Sequence, residues 1–215
     1  MTDISVIIPV RGEALYLEQC LESVVAQTQP CQDIVIVGHP EDKPLNLSPF
    51  KSTSIRYLIH TSMTANAAAQ RNLGVIQSSS KYLAFLDADD VWPSERIEKL
   101  LYSLISTDVD VVFGSMHTFE THLNLGLVDK KTASLLSLGL ISKSTFLKYG
   151  LFDEDLSVGE TIEWWGRAKA SGIRASFIDD IVLFRRKHSR NLTSKRDLVN
   201  QDYLRALNKV IQSRQ

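Results

Sequence analysis

The first apolar run, Ile4-Ser5-Val6-Ile7-Ile8, is short, nearly continuous and closed by Pro9. Such a run reads as a strand buried on both faces, the pattern of a parallel sheet. From Glu13 to Gln27 the period changes. Leu17, Cys20, Leu21, Val24 and Val25 recur at helical spacing, which predicts an amphipathic helix closed by Pro30. Asp33-Ile34-Val35-Ile36-Val37 is a second buried strand ended by Gly38, and Pro40, Pro44, Asn46, Ser48 and Pro49 mark a long loop after it. Ile55 to Ile59 is a third strand. Thr64 to Gln77 is an alanine-rich helix whose Ala67, Ala68 and Ala69 admit close neighbours, and Lys81 to Leu86 is a fourth strand. That strand ends abruptly in Asp87-Ala88-Asp89-Asp90. Pro93 sits just inside the next predicted helix, which runs through Glu98, Leu101 and Leu104, and Val109 to Phe113 is a fifth strand. The alternation predicts an α/β fold: a doubly wound, three-layer α/β/α sandwich around a mostly parallel sheet.

The second half is less regular. Leu135 to Ile141 reads as a strand or a covered loop, and Ser144 to Tyr149 as a short helix stopped by Gly150. Glu160 to Ala170 is helical, with Gly172 as the expected C-terminal cap. Ile173 to Ile178 and Ile181 to Phe184 read as two strands around an Asp179-Asp180 turn. In the last helix Leu204, Leu207 and Ile211 form one stripe, which predicts that this helix docks on the domain. No repeat or low-complexity linker divides the chain, so a single domain over 1–215 is expected, with halves 1–114 and 115–215.

Composition narrows the function classes. The formal net charge of -1 gives no basis for a general nucleic-acid binder, although Arg185-Arg186-Lys187 and Lys195-Arg196 are local basic clusters. Cys20, within a helical pattern, and Cys31, in a predicted turn, do not make a disulfide framework; two reduced thiols and a cytoplasmic location are the expectation. No apolar segment follows a basic start, so no signal peptide is expected, and no run approaches the ~18 apolar residues of a transmembrane segment. Asn191-Leu192-Thr193 has the form of a glycosylation acceptor, read here as a chance match.

Asp87-Ala88-Asp89-Asp90 is the sharpest chemical feature. Three carboxylates crowded at a strand end repel one another, and a hard cation relieves that repulsion. Oxygen ligands of this kind suit Mg²⁺ or Mn²⁺, with substrate phosphates completing the shell. The place fits as well, because open α/β sheets bind ligands beyond the carboxyl ends of their strands. A second reading stands beside it: a turn whose Asp90 caps the following helix.

Several segments in order resemble the family 2 glycosyltransferases. Val6-Ile7-Ile8-Pro9 and the helix from Leu17 to Thr28 resemble that family's first strand and helix. Ala69-Gln70-Arg71-Asn72-Leu73-Gly74-Val75 is similar to its helix before the acidic strand, and the stretch from Lys81 to Trp92 to the acidic motif itself. Gly150-Leu151-Phe152-Asp153-Glu154-Asp155-Leu156 and Glu163-Trp164-Trp165-Gly166-Arg167 resemble its catalytic-helix region, and Arg185-Arg186-Lys187-His188 its late basic segment. The resemblance implies a GT-A fold and metal-dependent, inverting transfer of a sugar from a nucleotide-diphospho-sugar, a UDP-sugar being one donor of this kind. It implies that 1–114 is the nucleotide-binding half and 115–215 the acceptor half. It maps Asp87 onto the donor and Asp89 onto the metal, with Arg71 and Asn72 approaching the donor. His188 is implied as a further metal ligand, and Arg185 and Arg186 as diphosphate contacts, since guanidinium forks match phosphate oxygens. For the last three the ordinary alternative is a solvated basic loop. The acceptor class stays open among a sugar, a lipid-linked molecule and a protein, and a lipid-linked acceptor implies peripheral contact with a membrane.

Two positions depart from the family pattern. Where the family places an Asp-rich turn that recognises the nucleoside, this chain reads Gly38-His39-Pro40-Glu41-Asp42, with Asp42 or Glu41 as substitutes. Where the family's acceptor base is the Asp of a Glu-Asp pair, this chain reads Glu160-Thr161. Thr161 cannot take a proton from an acceptor hydroxyl, so the role falls to Glu160, or to Glu163 on the same helix face. Trp164, Trp165 and Trp92 are candidates for a sugar-stacking platform or for core. These departures keep a second function class in view: a GT-A-like domain that binds nucleotide-sugar or a partner protein without transfer. A nucleotidyltransferase fits less well, because Pro9-Val10-Arg11-Gly12-Glu13 is not the Gly-rich basic loop such enzymes carry.

Overall fold

The apolar run at the start of the chain occupies the middle of the sheet in the computed structural model, which describes residues 2–12, 15–50, 54–120, 130–189 and 196–212. Strand β1 (Thr2–Pro9) lies between β2 (Cys31–Gly38) and β4 (Tyr82–Phe85), parallel to both, and β3 (Ile55–Ile59) extends the parallel part beyond β2. Beyond β4 the direction alternates. Strand β7 (Gly139–Ser142) runs antiparallel to β4 and to β5 (Val111–Phe119), which also pairs with the short β6 (Lys131–Thr132). Strand β8 (Ala175–Arg186) closes the far side of β5 in parallel register. Helices α1 (Leu17–Val25), α2 (Ala67–Gln77), α3 (Arg96–Ser106), α4 (Lys143–Lys148), α5 (Glu160–Ala170) and α6 (Arg196–Gln212) complete the α/β/α sandwich expected from the sequence.

Close packing follows from small residues. A Cβ on Gly74 of α2 would lie 2.5 Å from the Ile7 side chain, so only glycine lets α2 settle this near β1. Asn66 caps α2 by accepting from the Ala69 N–H, while its own amide donates to the carbonyls of Glu154 and Leu156. Arg96, fully buried on α3, donates to the carbonyls of Val182 and Gly139 and lies over the Trp92 ring at 4.2 Å. One guanidinium thereby fixes α3 against β7 and β8.

Several expected boundaries move, each for a tertiary reason. Cys31 opens β2 rather than a turn, because the Pro30 carbonyl already pairs with the Thr2 N–H of β1. Pro93 stays outside α3, which starts at Arg96, since its carbonyl accepts from Gln27 and from the Arg96 N–H. Leu135 to Ile141 divides into a 3-10 turn (Leu136–Leu138) and β7. The two strands predicted around an Asp179-Asp180 turn are one continuous strand, β8. Its surplus residues form a bulge where Phe113 pairs with Phe177 but Ser115 pairs with Ile181. Gly114 makes room there, as its Cβ would meet Val182 at 2.5 Å. Residues 121–129, Glu13 and Asn191-Leu192-Thr193 lie outside the described residues. Among the described residues, no helix is long and apolar enough to cross a membrane.

Helix α6 docks, but Leu204 and Ile211 of the expected stripe do not carry the contact, and the Leu207 side chain lies outside the described residues. Leu204 and Ile211 are 62% and 57% exposed, whereas Asp202, Ala206 and Val210 are buried. A Cβ on Gly166 of α5 would lie 2.3 Å from a Val210 methyl, so the two helices meet across a glycine. Gly166→Ala is therefore expected to destabilise the fold by about 1–2 kcal/mol through overpacking, despite the ~1 kcal/mol helix-propensity gain of alanine. In a Val210→Ala background the same change is expected to turn stabilising. Denaturant unfolding of the four proteins measures the change of sign; equal effects in both backgrounds would disprove the contact.

Candidate active site at the carboxyl end of the central strands

A cleft of about 780 Å³ opens beyond the ends of β1 and β4. It is lined by the acidic motif, by Arg11 and Gly12 after β1, by Gln70 and Arg71 of α2, by the start of α5, and by Arg185 and His188. Within the motif, ligand-type oxygens of Asp87, Asp89 and Asp90 all lie within 4.8 Å of one another. Burial, with the charge of Asp87, raises the Asp89 pKa, and a hydrogen bond with His188 opposes the rise. Asp90, fully enclosed, is raised much further by burial and then by Asp87 and Asp89. Its side chain does not cap α3. Its Oδ1 accepts the Arg186 N–H at 2.8 Å instead.

The basic segment after β8 divides between the site and its support. His188 Nε2 lies 2.9 Å from Asp89 Oδ2 and its ring is 5.3 Å from that of Tyr16, so the metal-ligand expectation for Asp89 and His188 has the two side chains together. Oxygen and imidazole donors in one acidic cluster fit a divalent cation. Arg185 lines the cleft. Arg186 does not reach it. Its guanidinium lies between Tyr16 (4.2 Å) and Phe119 (4.5 Å) and donates to the Asp89 carbonyl and to Gln19. The expected diphosphate contact is thus corrected to a support for the backbone of the acidic motif.

Arg71 is buried and joins two sides of the cleft. Its Nη2 donates to Asp87 Oδ1 and its Nη1 to Glu160 Oε1, both at 2.5 Å. Burial pushes the Glu160 carboxyl up, and Arg71 acts against that shift. Glu163, the other base candidate, is paired with Arg167 at 2.8 Å and does not line the cleft. Asn72 is also directed elsewhere. Its amide donates to the Phe152 carbonyl and to Glu154, and its oxygen accepts the Phe152 N–H. It fastens the loop before α5 instead of approaching a donor.

The remaining expected positions are structural. Asp42 accepts the N–H groups of Gly12 and His39, both at 2.6 Å, and His39 is buried against the Met63 carbonyl. Asp42 and Glu41 lie outside the cleft lining. None of the three tryptophans lines it either. Trp164 stacks on Phe146, Trp165 meets Phe113 edge-on, and Trp92 sits under Arg96. Two residues of α6 were not singled out from the sequence. Asp202, buried, accepts the N–H groups of Ser157 and Val158, and Tyr203 joins the cleft wall. An acidic residue on the inner side of an otherwise apolar contact was the one available signal.

Asp90 yields a test of the site's electrostatics. A carboxyl whose folded-state pKa is raised binds its proton more tightly in the native than in the unfolded chain. Its stabilisation is present at low pH and is lost as pH rises through the raised pKa. Asp90→Asn keeps an acceptor for the Arg186 N–H and removes the charge. Metal-free protein carrying it should be more stable than wild type at neutral pH, with the difference vanishing under acid. Thermal unfolding across pH reads this directly; a destabilised variant at neutral pH would refute the assignment.

Known proteins agree with this architecture. Residues 5–151 match the model of Glycosyl transferase family 2. Glycosyltransferase AglE of Haloferax volcanii is 29% identical over 201 residues, covering 83% of this chain and 65% of AglE. Glycosyltransferase GlyG of Streptococcus pneumoniae is 27% identical over 120 residues, 54% of this chain and 40% of that protein. The chain thus spans less than two thirds of the length of these relatives. Among solved structures, S. aureus TarS 1-349 in complex with UDP-GlcNAc superposes with a TM-score of 0.79 at 15% identity, covering 99% of this chain and 66% of that one. That likeness is one of fold, of the GT-A type. With the family model spanning the central strands, α2, the acidic motif and β7, the chain belongs to glycosyl transferase family 2.

Proposed function

We propose that this chain transfers a sugar, with inversion, from a nucleotide-diphospho-sugar to an acceptor hydroxyl, using Mg²⁺ or Mn²⁺ held by Asp89 and His188. The observation that carries the reading is the shared cleft, where the Asp89–His188 pair and the Glu160 carboxylate line one space, with Arg71 bridging Glu160 to Asp87 of the acidic motif. A UDP-sugar is the donor class we favour, since the superposed TarS structures were solved with UDP and with UDP-GlcNAc. Residues 1–114 supply most of the donor side, and 115–215 the acceptor side together with Arg185 and His188.

In this reading Glu160 takes the proton of the acceptor hydroxyl as its oxygen attacks the anomeric carbon. The bond from that carbon to the diphosphate oxygen breaks, and the diphosphate leaves with the electron pair. A bound divalent cation supplies neutralisation of the leaving diphosphate. Asp87 and Arg185 face the donor from the protein side. Burial strengthens Glu160 as a base, and Arg71 keeps its carboxylate ionised and oriented. Thr161, at the family's usual base position, leaves no other carboxylate in the α5 part of the lining.

Two substitutions test the parts separately. Asp89→Asn should weaken Mn²⁺-dependent UDP binding, measured by calorimetry, by about tenfold or more with the fold intact; unchanged affinity would remove the metal-site assignment. Glu160→Gln should bind UDP and Mn²⁺ as wild type does and lose transfer, followed as UDP release from a panel of UDP-sugars with saccharide acceptors. Wild-type turnover in that variant would exclude Glu160 as the base. A wild type that binds UDP but never turns over, and gains UDP release on Thr161→Asp, would identify the chain as a binding module derived from the enzyme fold.

A further inference from the structure

Tyr203 comes from α6, beyond the residues that match the family model, and yet it stands in the wall of the cleft. Its position is built rather than incidental. Asp202, the preceding residue, accepts the N–H groups of Ser157 and Val158 (3.0 and 3.3 Å) and so fixes α6 to the loop that enters α5. Lys209 pairs with Asp153 of the same loop. The Tyr203 ring then lies against Gly159, where a Cβ would come 2.8 Å from ring atom Cδ1. Gly159 has φ of 86°, so both its backbone and its neighbour require glycine. The next residue is Glu160.

The other aromatic groups of the cleft are already engaged. Tyr16 carries the Arg186 guanidinium and the His188 ring, and Phe85 is buried in a cluster with Phe146 and Phe152. Tyr203 has no ring partner among the described residues, and its hydroxyl has no hydrogen-bond partner there. The same holds for the hydroxyls of Ser137 and Thr161, which line the same cleft. A cleft whose wall offers an aromatic ring, unpartnered hydroxyls and a carboxylate suits a ligand with one apolar face and a hydroxylated rim. That is the description of a pyranose ring. An alkyl or isoprenoid chain would cover those hydroxyls without pairing them, at a desolvation cost.

We propose that Tyr203 forms the acceptor subsite of the cleft and that the group it takes is a saccharide ring, packed on the phenol with a hydroxyl directed to Glu160. The proposal rests on the transferase reading of the cleft, and its test is a binding measurement that stands without turnover. Protein saturated with UDP and Mn²⁺ is titrated with methyl glycosides of glucose, galactose and N-acetylglucosamine, and separately with farnesyl phosphate, by saturation-transfer NMR. At least one methyl glycoside is expected to bind wild type, with strongest transfer to the protons of one ring face. Tyr203→Leu should weaken that binding by about tenfold, and Tyr203→Phe, which keeps the ring, by about threefold. UDP affinity should stay within about twofold in both variants, whereas failure of the donor-site reading appears as absent UDP binding in the wild type itself. Failure of every glycoside to bind UDP-loaded wild type, equal binding by Tyr203→Leu, or binding of farnesyl phosphate in preference to the glycosides would overturn the proposal. So would a tenfold loss of UDP affinity in Tyr203→Leu, which would assign the ring to the donor side.

Discussion

Arg71 is the point on which the cleft depends. A guanidinium enclosed by protein must have its donors paired and its charge compensated, and the two carboxylates that do this come from opposite sides of the site: Asp87 at the end of β4 and Glu160 at the start of α5. Glu160 is held where burial would otherwise disfavour its ionisation, and Arg71 acts against that shift. Removing Arg71 would leave Asp87 and Glu160 without their shared counter-charge. The bridge therefore spans the cleft, and it ties the acidic motif at the end of β4 to the start of α5, far along the chain.

Around that bridge the supporting residues act on backbone rather than on ligand. Arg186 holds the Asp89 carbonyl and presents its own N–H to Asp90, with its planar cation between two aromatic rings. Asn72 holds the Phe152–Glu154 loop from α2, and Asp202 holds the next turn of that loop from α6. Asp42 does the same for Gly12 at the other rim. Polar residues of this kind look like ligand-binding candidates in a sequence because they are the residue types that bind ligands. Their use here is to satisfy loop N–H and carbonyl groups that no sheet or helix pairs.

The sequence by itself determined the parts that follow from local period and from chain order. Continuous apolar runs became β1 and β2, strand–helix alternation became the α/β sandwich, and β3 and α5 lie at the residues expected. A carboxylate cluster at a strand end was also legible, because such a cluster is intelligible without its surroundings, and Glu160 and His188 line the same cleft. What only the tertiary structure decided is which polar side chains face the cleft and which face the backbone. Arg185 and Arg186 are adjacent and chemically identical, yet alternation along β8 sends one to the cleft and the other between Tyr16 and Phe119. The docking face of α6 was hidden for a related reason: a helix packed across Gly166 and Gly159 presents Ala206, Val210 and Asp202, while the larger Leu204 and Ile211 are exposed. Apolar periodicity measures hydrophobic bulk, and close helix contact selects for its absence.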